Sequence, residues 1–177
     1  MNIAVYCGSS SGNKEAYLKG AIVLGTWIGN QGHTLICGGE DTGLMGAIED
    51  AVLSAGGKVV GVLPKIPQIQ AHKHPGLTRY METETIAQRR ATMMKMADAY
   101  IAMPGGLETL NQAFEIMNLR NMDLIQGKVV FYNVMEYYQS IKEALTNMVK
   151  QEFSQKKCFE DILFSEEITA IEEFLAE

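Results

Sequence analysis

Ala99-Tyr100-Ile101-Ala102-Met103-Pro104-Gly105-Gly106-Leu107-Glu108-Thr109-Leu110-Asn111-Gln112-Ala113-Phe114-Glu115 is the stretch whose reading decides the fold. It opens with a short apolar run, Ala99 to Met103, bounded by turn residues, as a buried strand would be. Pro104-Gly105-Gly106 interrupts the chain, and helical spacing runs from Thr109 to Asn121. A strand, a glycine-rich turn and a helix start are where open α/β sheets place their ligands. Glycine takes backbone angles closed to other residues, so such a turn can aim N–H groups at an anion, and the helix N-terminus adds partial positive charge. The stretch predicts a phosphate cradle.

Two more turns of this kind lie upstream. Ile3 to Cys7 reads as a strand, followed by Gly8-Ser9-Ser10-Ser11-Gly12 and a helix over 13–30 with Tyr17, Ala21, Leu24 and Ile28 as its core stripe. His33 to Cys37 reads as the next strand, followed by Gly38-Gly39-Glu40-Asp41-Thr42-Gly43 and a helix from Leu44 to Ala55. Lys58 to Leu63 is a third strand. Pro64 to Thr78 is a long irregular segment, of the length that is usually functional or mobile. It holds His72 and His74, two potential ligands with no third spaced to help, so a solvated loop rather than a metal site is expected. A short strand at Tyr80 and Met81, and a helix capped by Thr83 or Thr85 and reaching Ala97, lead into the opening stretch. After it come a strand at Lys128 to Tyr132 and helices over 135–152 and 165–176, the last with Glu166 and Glu167 in its first turn. Alternating strands and helices predict an α/β fold, a mainly parallel sheet covered by helices on both faces. The turns after Cys7, Cys37 and Met103 should then meet at one carboxyl edge and form a cleft. None matches GxGxxG or a Walker sequence, so a dinucleotide or triphosphate site has little support.

Bulk properties narrow the function. A length of 177 residues suits one domain, 1–177, with a single sizeable core. Apolar residues make up 47% and charged ones 20%, a globular composition. The net charge of −6 and the lack of a basic run argue against nucleic acid as a partner. Cys7, Cys37 and Cys158 fit neither a zinc spacing nor a disulfide framework, so a reducing cytoplasm is expected. No apolar run has the length of a membrane span, and the first residues read as a strand rather than a signal peptide. Among eleven methionines, Met93, Met94 and Met96 cluster, which suits adaptable core or dimer packing.

Taken together, several segments resemble a known family. They are Tyr6-Cys7-Gly8-Ser9-Ser10, Gly38-Gly39, Gly43-Leu44-Met45-Gly46, Gly61-Val62-Leu63-Pro64, His74-Pro75-Gly76-Leu77-Thr78, Gln88-Arg89-Arg90 and Ala97 to Gly106. In order and spacing, over nearly the whole chain, this resembles the LOG (lonely guy) family of cytokinin riboside 5′-monophosphate phosphoribohydrolases. The resemblance implies a Rossmann-like doubly wound fold, a homodimer and hydrolysis of the N-glycosidic bond of a nucleoside 5′-monophosphate, with no cofactor and no metal. A small-molecule nucleotide or related metabolite is the implied partner, and Met93 to Met96 is a candidate dimer surface. Family members are often labelled lysine decarboxylases, but no lysine here sits in a recognisable pyridoxal phosphate site.

The family signature is P-G-G-x-G-T-x-x-E, preceded by an arginine. Carried over, the arginine falls on Arg89, with Arg90 beside it, and Pro104, Gly105, Gly106 and Thr109 match. The third glycine of the signature is Glu108 here, and its closing glutamate is Gln112. A further family glycine, after Gly38-Gly39, is Glu40. The implied binding residues are thus Gly8, Ser9, Gly38, Gly39, Glu40, Gly43 and Arg90, with Gly105, Gly106, Glu108 and Thr109 from the signature. The implied catalytic positions are Arg89 and Gln112, with Glu115 as a substitute carboxylate one helical turn on.

These departures bear on the chemistry. Breaking an N-glycosidic bond builds positive charge on ribose and brings in water, and a carboxylate assists both. Gln112 orients a water but cannot accept its proton. It fits a helix capping box with Thr109, where Glu and Gln serve about equally. Glu108 is expected either to point into solvent or to pair with Arg89 or Arg90 where phosphate would sit. Glu40 and Asp41 would add an acidic rim. Arg89 is expected to face the cleft, and Arg90 to form exposed basic helix surface. Two functions follow as expectations: a weakened or altered nucleotide N-glycosidase, or a catalytically inactive relative that binds a small metabolite.

Overall fold

The computed structural model describes residues 1–177. Seven strands form one sheet: β1 (Asn2–Tyr6), β2 (Thr34–Cys37), β3 (Lys58–Pro64), β4 (Arg79–Thr83), β5 (Ala99–Ala102), β6 (Lys128–Tyr132) and β7 (Ile162–Ser165). Between and after them lie α1 (Glu15–Asn30), α2 (Gly43–Ser54), the single turn α3 (Pro67–Gln70), α4 (Ile86–Met96), α5 (Leu107–Asn121), α6 (Gln139–Lys150) and α7 (Ile168–Ala176). The spatial order is β4-β3-β2-β1-β5-β6-β7, and every neighbouring pair is parallel. This is the expected Rossmann-like, doubly wound α/β fold.

Strand alternation sends successive side chains to opposite faces. Ile3 and Val5 of β1 join Leu35, Val59, Ile101 and Val130 in one core, closed by α1, α2 and α7. Ala4 and Tyr6 join Ile36, Val60, Tyr100 and Phe131 in the other, closed by α4, α5 and α6. Because both faces are covered, the strands read as unbroken apolar runs.

α1 and α2 approach so closely that glycine is required. A Cβ on Gly25 would lie 2.6 Å from the carbonyl oxygen of Ile48 and 2.7 Å from the Cβ of Ala51. Gly25→Ala is expected to destabilise by about 1–3 kcal/mol through overpacking, although alanine is the better helix former. The urea unfolding midpoint reads this directly, and an unchanged or raised midpoint would refute it.

Several expectations are corrected. The helix over 135–152 does not start where spacing suggests: Met135 and Glu136 both have φ of 56°, and α6 begins only at Gln139. A 3₁₀ turn, Val134–Glu136, intervenes, and Asn133 Oδ1 accepts from the Tyr138 backbone N–H at 2.6 Å. The run Ile162–Ser165 is a seventh strand, so the last helix begins at Ile168, and Glu166 instead accepts from Met135 N–H at 3.2 Å. Four residues, three of them apolar, are too few to distinguish strand from helix by period. The irregular 64–78 segment contains α3, and the strand near Tyr80 extends over five residues. Met93 and Met94 are buried in the core, and Met96 is half-buried. No helix is long and apolar enough to cross a membrane.

Candidate functional site

β1 lies between β2 and β5, so the chain leaves β1 in one direction and later returns on its other side. At this switch point the loops diverge and leave a crevice beyond the carboxyl ends of the strands. The three glycine-rich turns meet there as expected, around a cavity of about 270 Å³. Gly8 and Ser9 line it from the first turn, Gly38 and Glu40 from the second, and Gly106, Glu108, Thr109 and Gln112 from the third. Arg89 and Met93 of α4 complete the wall.

The other predicted glycines serve the packing of the loops. Gly43, with φ of 58°, has no room for a Cβ against the backbone of Ser9. Gly39, with φ of 78°, packs on Gly61 and Leu63. Gly105 lies against the Thr109 side chain and the Gly8 backbone. Gly8 N–H donates to the Pro104 carbonyl at 3.0 Å, which ties the first turn to the third. Gly105 also borders an adjoining cavity of about 210 Å³, where the Tyr137 hydroxyl donates to its carbonyl at 2.6 Å.

Helix α5 begins at Leu107, two residues before the expected start, with Gly106 as its N-cap. Glu108 is therefore a first-turn helical residue, where a carboxylate meets the helix dipole favourably. The capping box is not formed: Thr109 sits inside the helix, and Gln112 Nε2 donates to Glu108 Oε1 at 3.0 Å. That is an i−4 contact along the helix face, open to Gln112 because the helix starts early.

The two arginines take separate partners. Arg89 reaches over Gly38, whose missing Cβ leaves room for the guanidinium, and Nη2 is 3.5 Å from Glu40 Oε2. Its Nε is buried without a partner. Arg90 is not an exposed basic surface: its side chain is 23% exposed and held by two carboxylates. Glu108 Oε1 lies 3.6 Å from its Nη1, and Glu115 Oε2 lies 3.1 Å from its Nε, a charge contact without hydrogen-bond alignment. Glu115 is thus engaged by Arg90 and does not line the cavity. Asp41 turns away to face His72 at 3.6 Å.

Tyr6, Met45 and Met93 also line the cavity, and the sequence reading did not place them among the site residues. A usable signal existed for Tyr6, which ends a strand just before a glycine turn at the carboxyl edge. Its hydroxyl is buried without a partner, and burial raises its pKa, with the charges of Tyr100 and Glu115 adding.

A second polar cluster lies beside the second turn. Glu49 of α2 is fully buried and accepts from Cys37 Sγ at 3.0 Å. Burial pushes its carboxyl up to about 8, with the Cys37 and Gly39 hydrogen bonds opposing and Glu40 and Asp50 adding. His74 Nδ1 accepts from Gly76 N–H at 3.0 Å, so its Nε2 donates to Asp50 Oδ1 at 3.1 Å. The buried His74 and the exposed His72 therefore face different carboxylates.

A family profile described as "Possible lysine decarboxylase" matches residues 45–174. A cytokinin riboside 5′-monophosphate phosphoribohydrolase of Arabidopsis thaliana is 36% identical over 151 residues, which cover 85% of this chain and 71% of the relative. One from Rhodococcoides fascians is 35% identical over 141 residues, covering 79% and 71%. Among solved structures, the molybdenum cofactor carrier protein of Chlamydomonas reinhardtii superposes with a TM-score of 0.76 at 18% identity, covering 99% of this chain and 98% of that one. The molybdenum cofactor binding protein of Rippkaea orientalis gives 0.71 at 20% identity, covering 97% and 95%. At these identities the structural likeness speaks for the fold alone.

Proposed function

This chain belongs to the LOG family of phosphoribohydrolases, and from that membership we propose that it is a nucleoside 5′-monophosphate N-glycosidase of weakened or altered turnover. The reaction adds water at the anomeric carbon and releases a free base and ribose 5-phosphate. The observation that carries the reading is the Arg89 guanidinium, laid over Gly38 inside the switch-point cavity. A guanidinium presents a fork of donors that matches phosphate oxygens. Its contact with Glu40 is long, at 3.5 Å, and a phosphate making two direct hydrogen bonds would compete well with it. Gln112, only 7% exposed and on the cavity wall, orients the attacking water without taking its proton. No lysine lines this cavity, so pyridoxal phosphate chemistry lacks its Schiff-base partner there.

The test is incubation with AMP and related monophosphates, followed by chromatography for free base. Slow release is expected. Arg89→Ala should lower it by about 10- to 100-fold, the worth of charge-assisted hydrogen bonds to one anion. Release unaffected by that change would overturn the assignment of Arg89.

A second reading has its own support. Every carboxylate near the cavity is engaged, Glu40 by Arg89 and both Glu108 and Glu115 by Arg90, while Gln112 is neutral. That arrangement suits a non-catalytic relative that binds a small metabolite and has moved away from tight phosphate binding. Calorimetry separates the two: binding of AMP with no base released favours the second reading. Micromolar affinity for inorganic phosphate argues against any drift from phosphate.

A further inference from the structure

A cavity larger than the cleft shares no residue with it. It is a groove of about 450 Å³ between α6, the 3₁₀ turn Lys156–Phe159 and the edge strand β7. Its floor is apolar. Leu145 and Val149 of α6 face Ile162 and Phe164 of β7, and Phe159 closes one end. Positions 142, 145, 146, 149 and 150 fall on one face of α6. Ile162 and Phe164 share one face of β7 by alternation. Phe164 stacks on Phe131 at 4.5 Å, so the floor is anchored to the core. β7 is the last strand, and α6 covers only part of this face.

The rim is cationic. Lys142, Lys150 and Lys156 border the groove, and no carboxylate does. None of the three forms an ion pair, in a chain whose net charge is −6. Three unpaired ammonium groups over an apolar slot complement a molecule with one anionic end and one apolar tail. The volume falls within the range of small-ligand pockets. We propose that this groove binds a free amphiphilic carboxylate with a single medium-length alkyl tail, the carboxylate held among Lys142, Lys150 and Lys156 and the tail on Val149, Phe159 and Phe164.

Decanoate, kept below its micelle concentration, is the probe. Calorimetry should show binding at least about tenfold tighter for decanoate than for decyltrimethylammonium or decanol. Affinity for decanoate should fall as salt is raised. The triple variant K142E/K150E/K156E should lose at least about tenfold in affinity. All three lysines are exposed, and circular dichroism confirms that the variant is folded. Val149→Trp, which fills the slot, should abolish binding, and amide shifts on titration should map to Val149, Phe159 and Phe164. Equal binding of the three amphiphiles would overturn the proposal, as would an unchanged affinity in the triple variant. So would capture by anionic vesicles with no binding of monomeric decanoate, or a dimer in sedimentation whose contact shields these same residues.

Discussion

The double variant Glu108→Gly with Gln112→Glu should release free base from AMP about 10²- to 10⁴-fold faster than the wild type, the usual worth of a general base. Glu108 Oε1 accepts from Gln112 Nε2 at 3.0 Å and lies 3.6 Å from Arg90 Nη1. A carboxylate introduced at 112 alone would meet Glu108 at that short distance. Two carboxylates so close cannot both ionise easily, and one keeps its proton. The single variant Gln112→Glu is therefore expected to gain little at neutral pH. Removing Glu108 frees the new carboxylate to ionise beside the cavity, while Glu115 still holds Arg90. Glycine in the first turn of α5 costs about 1 kcal/mol, which thermal unfolding will show. If the double variant is folded but no faster than wild type, Gln112 is not the position of the missing base.

Stability should fall as the solution becomes alkaline, and Glu49→Gln should remove the effect. Glu49 is fully buried, and its carboxyl is pushed up to about 8. In the unfolded chain it returns to the ordinary value of 4.5. Between those values the native state keeps a proton that the unfolded state has lost. Native protein thus binds more protons, and unfolding free energy drops as pH rises, by at most about 1.4 kcal/mol per pH unit. The stability is fully present below 4.5 and lost by about pH 8, a total on the order of 5 kcal/mol. Glutamine cannot ionise, so its curve should be flat over this window as far as this group decides it. Its carbonyl keeps the Cys37 contact, but the amide N–H₂ finds no free acceptor, since His74 Nδ1 already accepts from Gly76. That leaves a cost of about 1–3 kcal/mol at all pH values. The variant should be less stable than wild type at pH 5 and more stable at pH 9, and urea midpoints across this range should cross. Parallel curves would show that Glu49 is ionised throughout.

Much of the architecture was legible because it depends on local pattern. Ile3 to Cys7, Leu35 to Cys37 and Ala99 to Met103 are apolar on successive residues and end at turn residues, as strands buried on both faces do. Each is followed by glycines, and parallel connection brings such turns to one edge. β7 and the break before α6 were not legible. Ile162–Ser165 is too short for its period to show, and the left-handed residues Met135 and Glu136 carry no glycine to mark them.

The site divides along the same line. That Gln112 cannot act as a base, and that Glu108 brings charge beside a glycine turn, follow from residue chemistry and needed no coordinates. Which arginine meets which carboxylate was not contained in the order of residues. It depends on where α5 starts and how α4 lies against it, and a shift of one residue turns a side chain through about 100° of helix. Starting at Leu107 rather than Thr109 places Glu108 over Arg90, leaves Arg89 to the cavity and turns a cap into an i−4 contact. Burial of Glu49 beside Cys37, which sets its proton affinity, likewise exists only once α2 packs on β2. Local sequence determined the strands, the turns and the edge where they meet, because those depend on neighbours in the chain. Pairing and proton affinity were decided by the tertiary structure, because charge interactions depend on distances between segments far apart in sequence and on the water excluded between them.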